Sequence, residues 1–111
     1  MGEVGAFSIA GLKCYFGSND HYPQHFEVLK RGAWVIRVFI LRSNRKRGLN
    51  WEYKNRWAGA VVSAAEEKEI LEMVLSHKRR LLREWNEKVS VAREEDKNHE
   101  HKQTSPGARS G

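Results

Sequence analysis

The sequence lacks several features that mark large classes of proteins. Cys14 is the only cysteine among the 111 residues, so no intramolecular disulfide can form and a disulfide-stabilised secreted scaffold is excluded. No apolar run approaches the roughly 20 residues that span a bilayer. Residues 1–12 lack the basic start and long apolar stretch of a secretory signal. We therefore expect a soluble, cytoplasmic protein with no membrane partner.

Acidic residues are scarce in the middle of the chain. The formal net charge is +6, and between Lys13 and Arg56 ten basic residues face only three acidic ones. From Ala58 onward ten basic and ten acidic residues cancel. All of the positive excess thus lies in the middle segment, which is where an acidic partner should bind.

A hydrophobic content of 40% in a chain of this length supports one modest core. We predict a single α+β domain over residues 12–90, preceded by a flexible or edge N-terminus at residues 1–11. Residues 91–111 are dominated by polar, charged and small side chains, a composition that cannot offset its ordering entropy by burial. This segment is predicted to be a disordered charged tail.

The first half of the domain shows the patterns of short strands. Leu12–Phe16 is followed by turn-forming residues, and Phe26–Leu29 and Trp34–Leu41 are joined by Lys30–Gly32, which predicts a hairpin. Both faces of Trp34–Leu41 are largely apolar, which indicates a central strand. Leu49–Lys54 alternates apolar and polar residues and is predicted to form a short final strand.

The second half of the domain shows helical periodicity. Ser63 and Glu66 have the spacing of a capping box, and a stripe of side chains recurs at three- and four-residue steps: Ile70, Val74, His77, Leu81 and Trp85. This predicts a helix from Ser63 to Val89. The expected fold is a small antiparallel sheet of three or four strands packed against one long C-terminal helix.

Several short motifs occur in order along residues 11–88: Asn19-Asp20-His21, Pro23, His25-Phe26, the run Trp34–Leu41, and Leu81-Leu82 with Trp85. In these motifs the chain resembles the bacterial family catalogued as domain of unknown function 4160. The resemblance implies a β-hairpin followed by a helix. Members are similar to components of toxin-antitoxin-like gene pairs, which implies a small intracellular regulatory or interaction protein.

Two positions depart from the family pattern. Gln24 stands where the family commonly has a second proline, and Glu27 stands where it often has a further histidine. If the family's activity depends on a site of three histidines, Glu27 would give this chain a site of mixed histidine and carboxylate side chains, or a disabled one.

The stretch NDHYPQHFEV places several titratable side chains ahead of the hairpin: Asp20, His21, His25 and Glu27. His21 and His25 with a carboxylate can ligate zinc or another divalent ion, and His25 with Asp20 can act as a general acid-base pair for phosphodiester cleavage. The alternative is a polar turn in which the side chains bond nearby backbone groups. The spacing favours the turn, so we predict no metal and no cofactor.

The segment from Arg42 to Trp57 combines basic and aromatic residues. Lysine and arginine neutralise phosphates, and aromatic rings can stack on unpaired bases. The candidate nucleic-acid-binding residues are Arg42, Arg45, Lys46, Arg47, Lys54 and Arg56. The alternative is a solvated basic loop followed by a strand whose aromatic side chains, Trp51 and Tyr53, face the core.

The leading hypothesis from the sequence is a non-enzymatic interaction module that binds nucleic acid or another acidic partner through this basic segment. The alternatives are a small histidine- or metal-dependent nuclease or toxin, and a protein-protein partner with no nucleic-acid role. The sequence assigns no oligomeric state.

Overall fold

A computed structural model describes residues 2–17 and 22–89. Five strands precede two helices: β1 (Gly2–Glu3), β2 (Lys13–Phe16), β3 (His25–Lys30), β4 (Trp34–Phe39), β5 (Trp51–Arg56), α1 (Ala64–Ser76) and α2 (Lys78–Lys88). The strands form one antiparallel sheet in sequential order, from β1 at one edge to β5 at the other. The tail predicted for residues 91–111 lies outside the described residues.

The α+β class is confirmed, but the predicted element count is wrong. The sheet has five strands because Gly2 and Glu3 pair with Phe16 and Tyr15 of β2. Two residues are too few to show an alternating pattern, so only the tertiary contact defines β1.

The predicted single long helix is in fact two helices that meet at His77. His77 leaves helical geometry at φ −125° and ψ 22°, and its Nδ1 lies 3.0 Å from the Met73 carbonyl oxygen. Its ring also packs against Phe7, with the ring centroids 5.5 Å apart. At the point where the helix is interrupted, the His77 side chain thus contacts a backbone carbonyl and packs against the N-terminal segment.

The core lies between the helices and one face of the sheet. Alternation along β4 buries Trp34, Ile36 and Val38 completely, and α1 and α2 contribute Ile70, Val74, Leu81 and Trp85 to the same cluster. On the other face of this strand, Val35 is still buried, and Leu41, just beyond the strand, is 54% exposed. β4 pairs with strands on both sides, as its apolar character predicted.

Two local predictions are confirmed in atomic detail. Ser63 accepts a hydrogen bond from the Glu66 amide at 3.0 Å, and Glu66 accepts one from the Ser63 amide at 2.9 Å, which completes the capping box. Between β3 and β4, Gly32 adopts a φ of +77° and Ala33 donates to the Lys30 carbonyl at 2.9 Å. Glycine is favoured there because that φ is costly for other residues.

Candidate nucleic-acid interface

The loop between β4 and β5 carries a dense run of basic residues, and hydrogen bonds hold its base in place. Ser43 is fully buried; its hydroxyl donates to the Phe39 carbonyl at 2.9 Å and accepts from the Asn50 amide at 2.9 Å. One side chain therefore ties together the two chain segments that enter and leave the loop.

The tip of the loop is a tight turn closed by Asn44 and Gly48. Each backbone amide donates to the other residue's carbonyl, at 3.1 and 2.7 Å, and the Asn44 side-chain oxygen accepts from the Arg47 amide at 2.7 Å. Gly48 supplies a φ of +88°, which glycine adopts without strain. This network leaves the side chains of Arg45, Lys46 and Arg47 exposed at the tip.

Both helices approach this loop and add basic side chains to it. Lys78 at the start of α2 donates to the Ser43 carbonyl at 3.2 Å, and Lys68 on α1 lines the same cleft as Arg47. Arg42 is exposed at the start of the loop, with its Cζ 5.5 Å from the centroid of the Phe39 ring. The basic side chains of the loop and of the helices form what we call the basic loop surface: Arg42, Arg45, Lys46, Arg47, Lys68 and Lys78.

Acidic side chains also lie at the basic loop surface: Glu72 is beside Arg45, and Glu67 lines the cleft between Arg47 and Lys68. Arg45 Nη1 lies 3.2 Å from Glu72 Oε2, and both side chains are well exposed, at 70% and 45%. An exposed pair of this kind contributes little to stability and is screened by salt. Arg45 can therefore exchange its carboxylate for a phosphate at small cost.

Two of the six predicted binding residues lie on β5 rather than in the loop. Lys54 Nζ donates to both carboxylate oxygens of Glu27, at 3.1 and 2.9 Å, and Arg56 lies over the Tyr53 ring, with Cζ 4.5 Å from the centroid. Both side chains already have contacts that stabilise the sheet. The basic segment of the sequence is thus divided between a loop surface and a strand.

The aromatic residues of this segment are mainly structural. The Trp51 indole donates to Glu67 Oε2 at 2.7 Å, its ring meets Tyr53 edge-on with centroids 4.8 Å apart, and the Tyr53 hydroxyl accepts from the Val62 amide at 3.1 Å. Trp57, by contrast, is 42% exposed. Trp51 therefore links β5 to α1, and Tyr53 links β5 to the loop that precedes α1.

The histidine-rich turn is described only in part. Asp20 and His21 lie outside the described residues, whereas His25 is buried. The His25 ring lies between Phe39 and Trp85, at centroid distances of 5.6 and 5.5 Å, and its Nδ1 lies 2.9 Å from the Pro23 carbonyl oxygen. These contacts make His25 a packed side chain that bonds the backbone of the turn.

Glu27, the remaining residue of that turn considered for chemistry, lies in β3 and is only 2% exposed. Its carboxylate is held by Lys54, and on the same face of the sheet Arg37 donates to Glu52 at 2.9 Å. Within residues 2–17 and 22–89, no group of three or more histidine, cysteine or carboxylate side chains is placed to hold a metal ion.

Cys14 is buried on the core face of β2. Burial, together with a smaller contribution from the nearby charge of Glu3, raises the pKa of its thiol to about 12. A thiol with this pKa carries almost no thiolate at neutral pH, so it is a poor nucleophile.

Lys68 and Lys78 are not among the binding residues that the sequence predicts. Lys68 has acidic neighbours on its helix, and the basic run that begins at Lys78 is followed by Glu84 and Glu87, so a solvated helix face is the usual interpretation of both. Only the packing of the helices beside the β4–β5 loop brings them to it, and the sequence contains no local signal for that packing.

Comparison with family models, with curated proteins and with solved structures finds no match. The resemblance to the family of unknown function therefore stays a prediction. Among the described residues, no helix is long and apolar enough to cross a membrane.

Proposed function

We propose that this protein is a non-enzymatic module that binds nucleic acid through the basic loop surface. The observation that carries the proposal is the hydrogen-bonded loop of residues 43–50, which holds exposed basic side chains at its tip beside two lysines from the helices. Clustered lysine and arginine side chains bind phosphates and release their counterions.

The rigidity of the loop supports this assignment. The bonds of Ser43, Asn44 and Gly48 fix the backbone before any ligand arrives. Binding then requires ordering of the side chains only, which lowers its entropic cost. A flexible basic loop would bind the same phosphates with a larger loss of conformational freedom.

The test is fluorescence anisotropy with short labelled RNA and DNA at low salt. We compare the wild type with a triple variant at the loop tip, in which Arg45, Lys46 and Arg47 are replaced by alanine. In a matched control, three other exposed basic residues, Lys13, Arg31 and Arg83, are replaced by alanine. This control removes the same amount of charge at positions away from the loop.

The loop-tip variant should bind at least about tenfold more weakly, and the slope of log K against log salt should fall by about 2 to 3, since each lost phosphate contact contributes roughly 0.7 to 0.9. The control should change affinity much less, because its charges lie away from the loop. If the wild type binds neither RNA nor DNA, or if both triple variants lose affinity equally, the proposal is wrong.

A further inference from the structure

A cleft of about 320 Å³ separates the basic loop from the first turns of α1. Arg47 and Gly48 line it from the loop, Ala64 and Lys68 line it from the helix, and the side chains of Leu49 and Leu71 also face it. Leu49 is buried and Leu71 is half-buried. The cleft is open to solvent, and it combines these two leucine side chains with a cation from each of the two elements that form it.

Glu67 also lines the cleft, and its orientation is fixed. The Trp51 indole donates to Oε2 at 2.7 Å, and among the described residues no side chain donates to Oε1. A carboxylate held in this way can accept a hydrogen bond from a ligand. The negative charge of Glu67 repels carboxylates and phosphates alike, so the group that lies against Glu67 must be a neutral hydrogen-bond donor rather than an anion.

We propose that this cleft receives one unpaired base of a single-stranded nucleic acid, an inference that rests on the proposed function. A base has an apolar ring for the two leucines and a hydrogen-bonding edge for Glu67, and the phosphates on either side of it can contact Arg47 and Lys68. Bases in a duplex are stacked and paired, so they cannot enter such a cleft without being unstacked.

The carboxylate implies a preference among bases. The amino group of cytosine or adenine donates to a carboxylate, and guanine offers an amino and an imino donor. Uracil also has one donor, its imino group, but a carbonyl oxygen lies on each side of that donor and repels the carboxylate. We expect oligo(C) to bind more tightly than oligo(U), by about three- to tenfold, because this repulsion offsets part of the hydrogen bond from uracil.

Three variants alter the cleft, and a fourth serves as the control. Ala64→Phe places a ring at the cleft, and Ala65→Phe adds the same ring at the next exposed position, which does not line the cleft. Glu67→Gln keeps an acceptor for the Trp51 indole but removes the negative charge. Lys68→Ala is a third cleft variant whose exposed side chain is not needed for folding.

The experiment measures anisotropy with labelled oligo(C), oligo(U) and a duplex, and circular dichroism monitors the helices. Ala64→Phe should reduce oligo(C) affinity to the level of the duplex while Ala65→Phe leaves it unchanged, and Glu67→Gln should strengthen overall binding and weaken the preference for oligo(C). If Ala64→Phe does not fold, Lys68→Ala should still lower affinity for oligo(C) more than for the duplex.

The outcomes separate the two proposals. Absence of any binding by the wild type overturns the proposed function and the cleft together. Binding that is equal for oligo(C), oligo(U) and duplex, and unaffected by Ala64→Phe, overturns the cleft alone and leaves the basic loop surface as a general phosphate-binding site.

Discussion

Glu84 joins the N-terminal segment to α2, and its replacement should destabilise the fold. The side chain is buried at 5% exposure. Its Oε1 accepts from the Gly5 amide at 2.7 Å and from Lys88 Nζ at 2.9 Å, and Arg80 Nε lies 3.4 Å from Oε2. Lys88 also donates to the Glu3 carbonyl, so a single carboxylate organises the docking of residues 3–5.

The size of the effect follows from these contacts. Glu84→Gln keeps an acceptor for Gly5 but replaces a charged hydrogen bond with a neutral one, which costs about 1 kcal/mol. Loss of the two ion pairs adds a few tenths of a kcal/mol each, because Lys88 and Arg80 are 32% and 57% exposed. We expect a loss of about 1.5 kcal/mol for glutamine, and about 3 kcal/mol for alanine, which leaves the Gly5 amide without its acceptor.

The effect should depend on pH in one direction. Burial acts to raise the pKa of Glu84, but the hydrogen bond from Gly5 and the charges of Lys88 and Arg80 outweigh it and hold the pKa below its usual value. A carboxyl whose pKa is lowered by folding contributes stability above its unfolded pKa of about 4.3 and loses it as pH falls through the folded pKa. The difference between wild type and Glu84→Gln should therefore be constant near neutral pH and shrink in acid.

Urea denaturation followed by circular dichroism measures this difference. Glu87→Gln is the matched control, since Glu87 is exposed on the same helix and its replacement should change stability by less than about 0.5 kcal/mol. If Glu84→Gln is as stable as the wild type, or if its deficit persists unchanged at acidic pH, the assigned role of Glu84 is wrong.

Three further predictions concern single residues. Ser63→Ala removes the N-cap of α1 and should lower the free energy of unfolding by about 1 kcal/mol in urea titrations; an unchanged midpoint would contradict the capping role. Because Cys14 is buried with its pKa raised to about 12, it should react with a thiol reagent only after denaturation, and fast labelling of the native protein would show that this site opens. Trp51→Phe removes the donor to Glu67 and should cost about 1 to 2 kcal/mol; a double-mutant cycle with Glu67→Ala should show coupling, and simple additivity would contradict the bond.

The fold was predictable where the signal is local. The capping box at Ser63 and the turn at Gly32 depend on neighbouring residues, and the apolar stripe of the helices depends on a period that the sequence displays directly. The helix interruption at His77 was not predictable, since the same stripe continues through it and the ring's contact with Phe7 comes from a segment 70 residues earlier in the chain. Periodicity identifies a face but not what packs on it.

In the candidate site, too, the exposure of loop residues was predictable from the sequence, whereas their tertiary contacts were not. Arg45, Lys46 and Arg47 are exposed loop residues, as their flanking turn formers indicate. Alternation placed Lys54 on the polar face of β5, but its partner Glu27 lies two strands away and is reached only through the register of β3, β4 and β5. That register includes a shift at Val35 and Ile36, which no local pattern in the sequence shows.

The edge of the sheet at β5 is poorly suited to a partner that adds a strand, which strengthens the case for the loop. The pairing of β5 with β4 is irregular at Val35 and Ile36. The Arg56 amide on β5 already donates to the Asn55 side chain at 2.8 Å. Glu52 and Lys54 also place charges along this edge, and features of this kind discourage edge-to-edge association. A partner strand must displace these contacts, whereas a phosphate at the basic loop surface meets exposed cations on a backbone that is already fixed. We therefore propose the loop between β4 and β5, and not the β5 edge, as the surface that an acidic partner would contact.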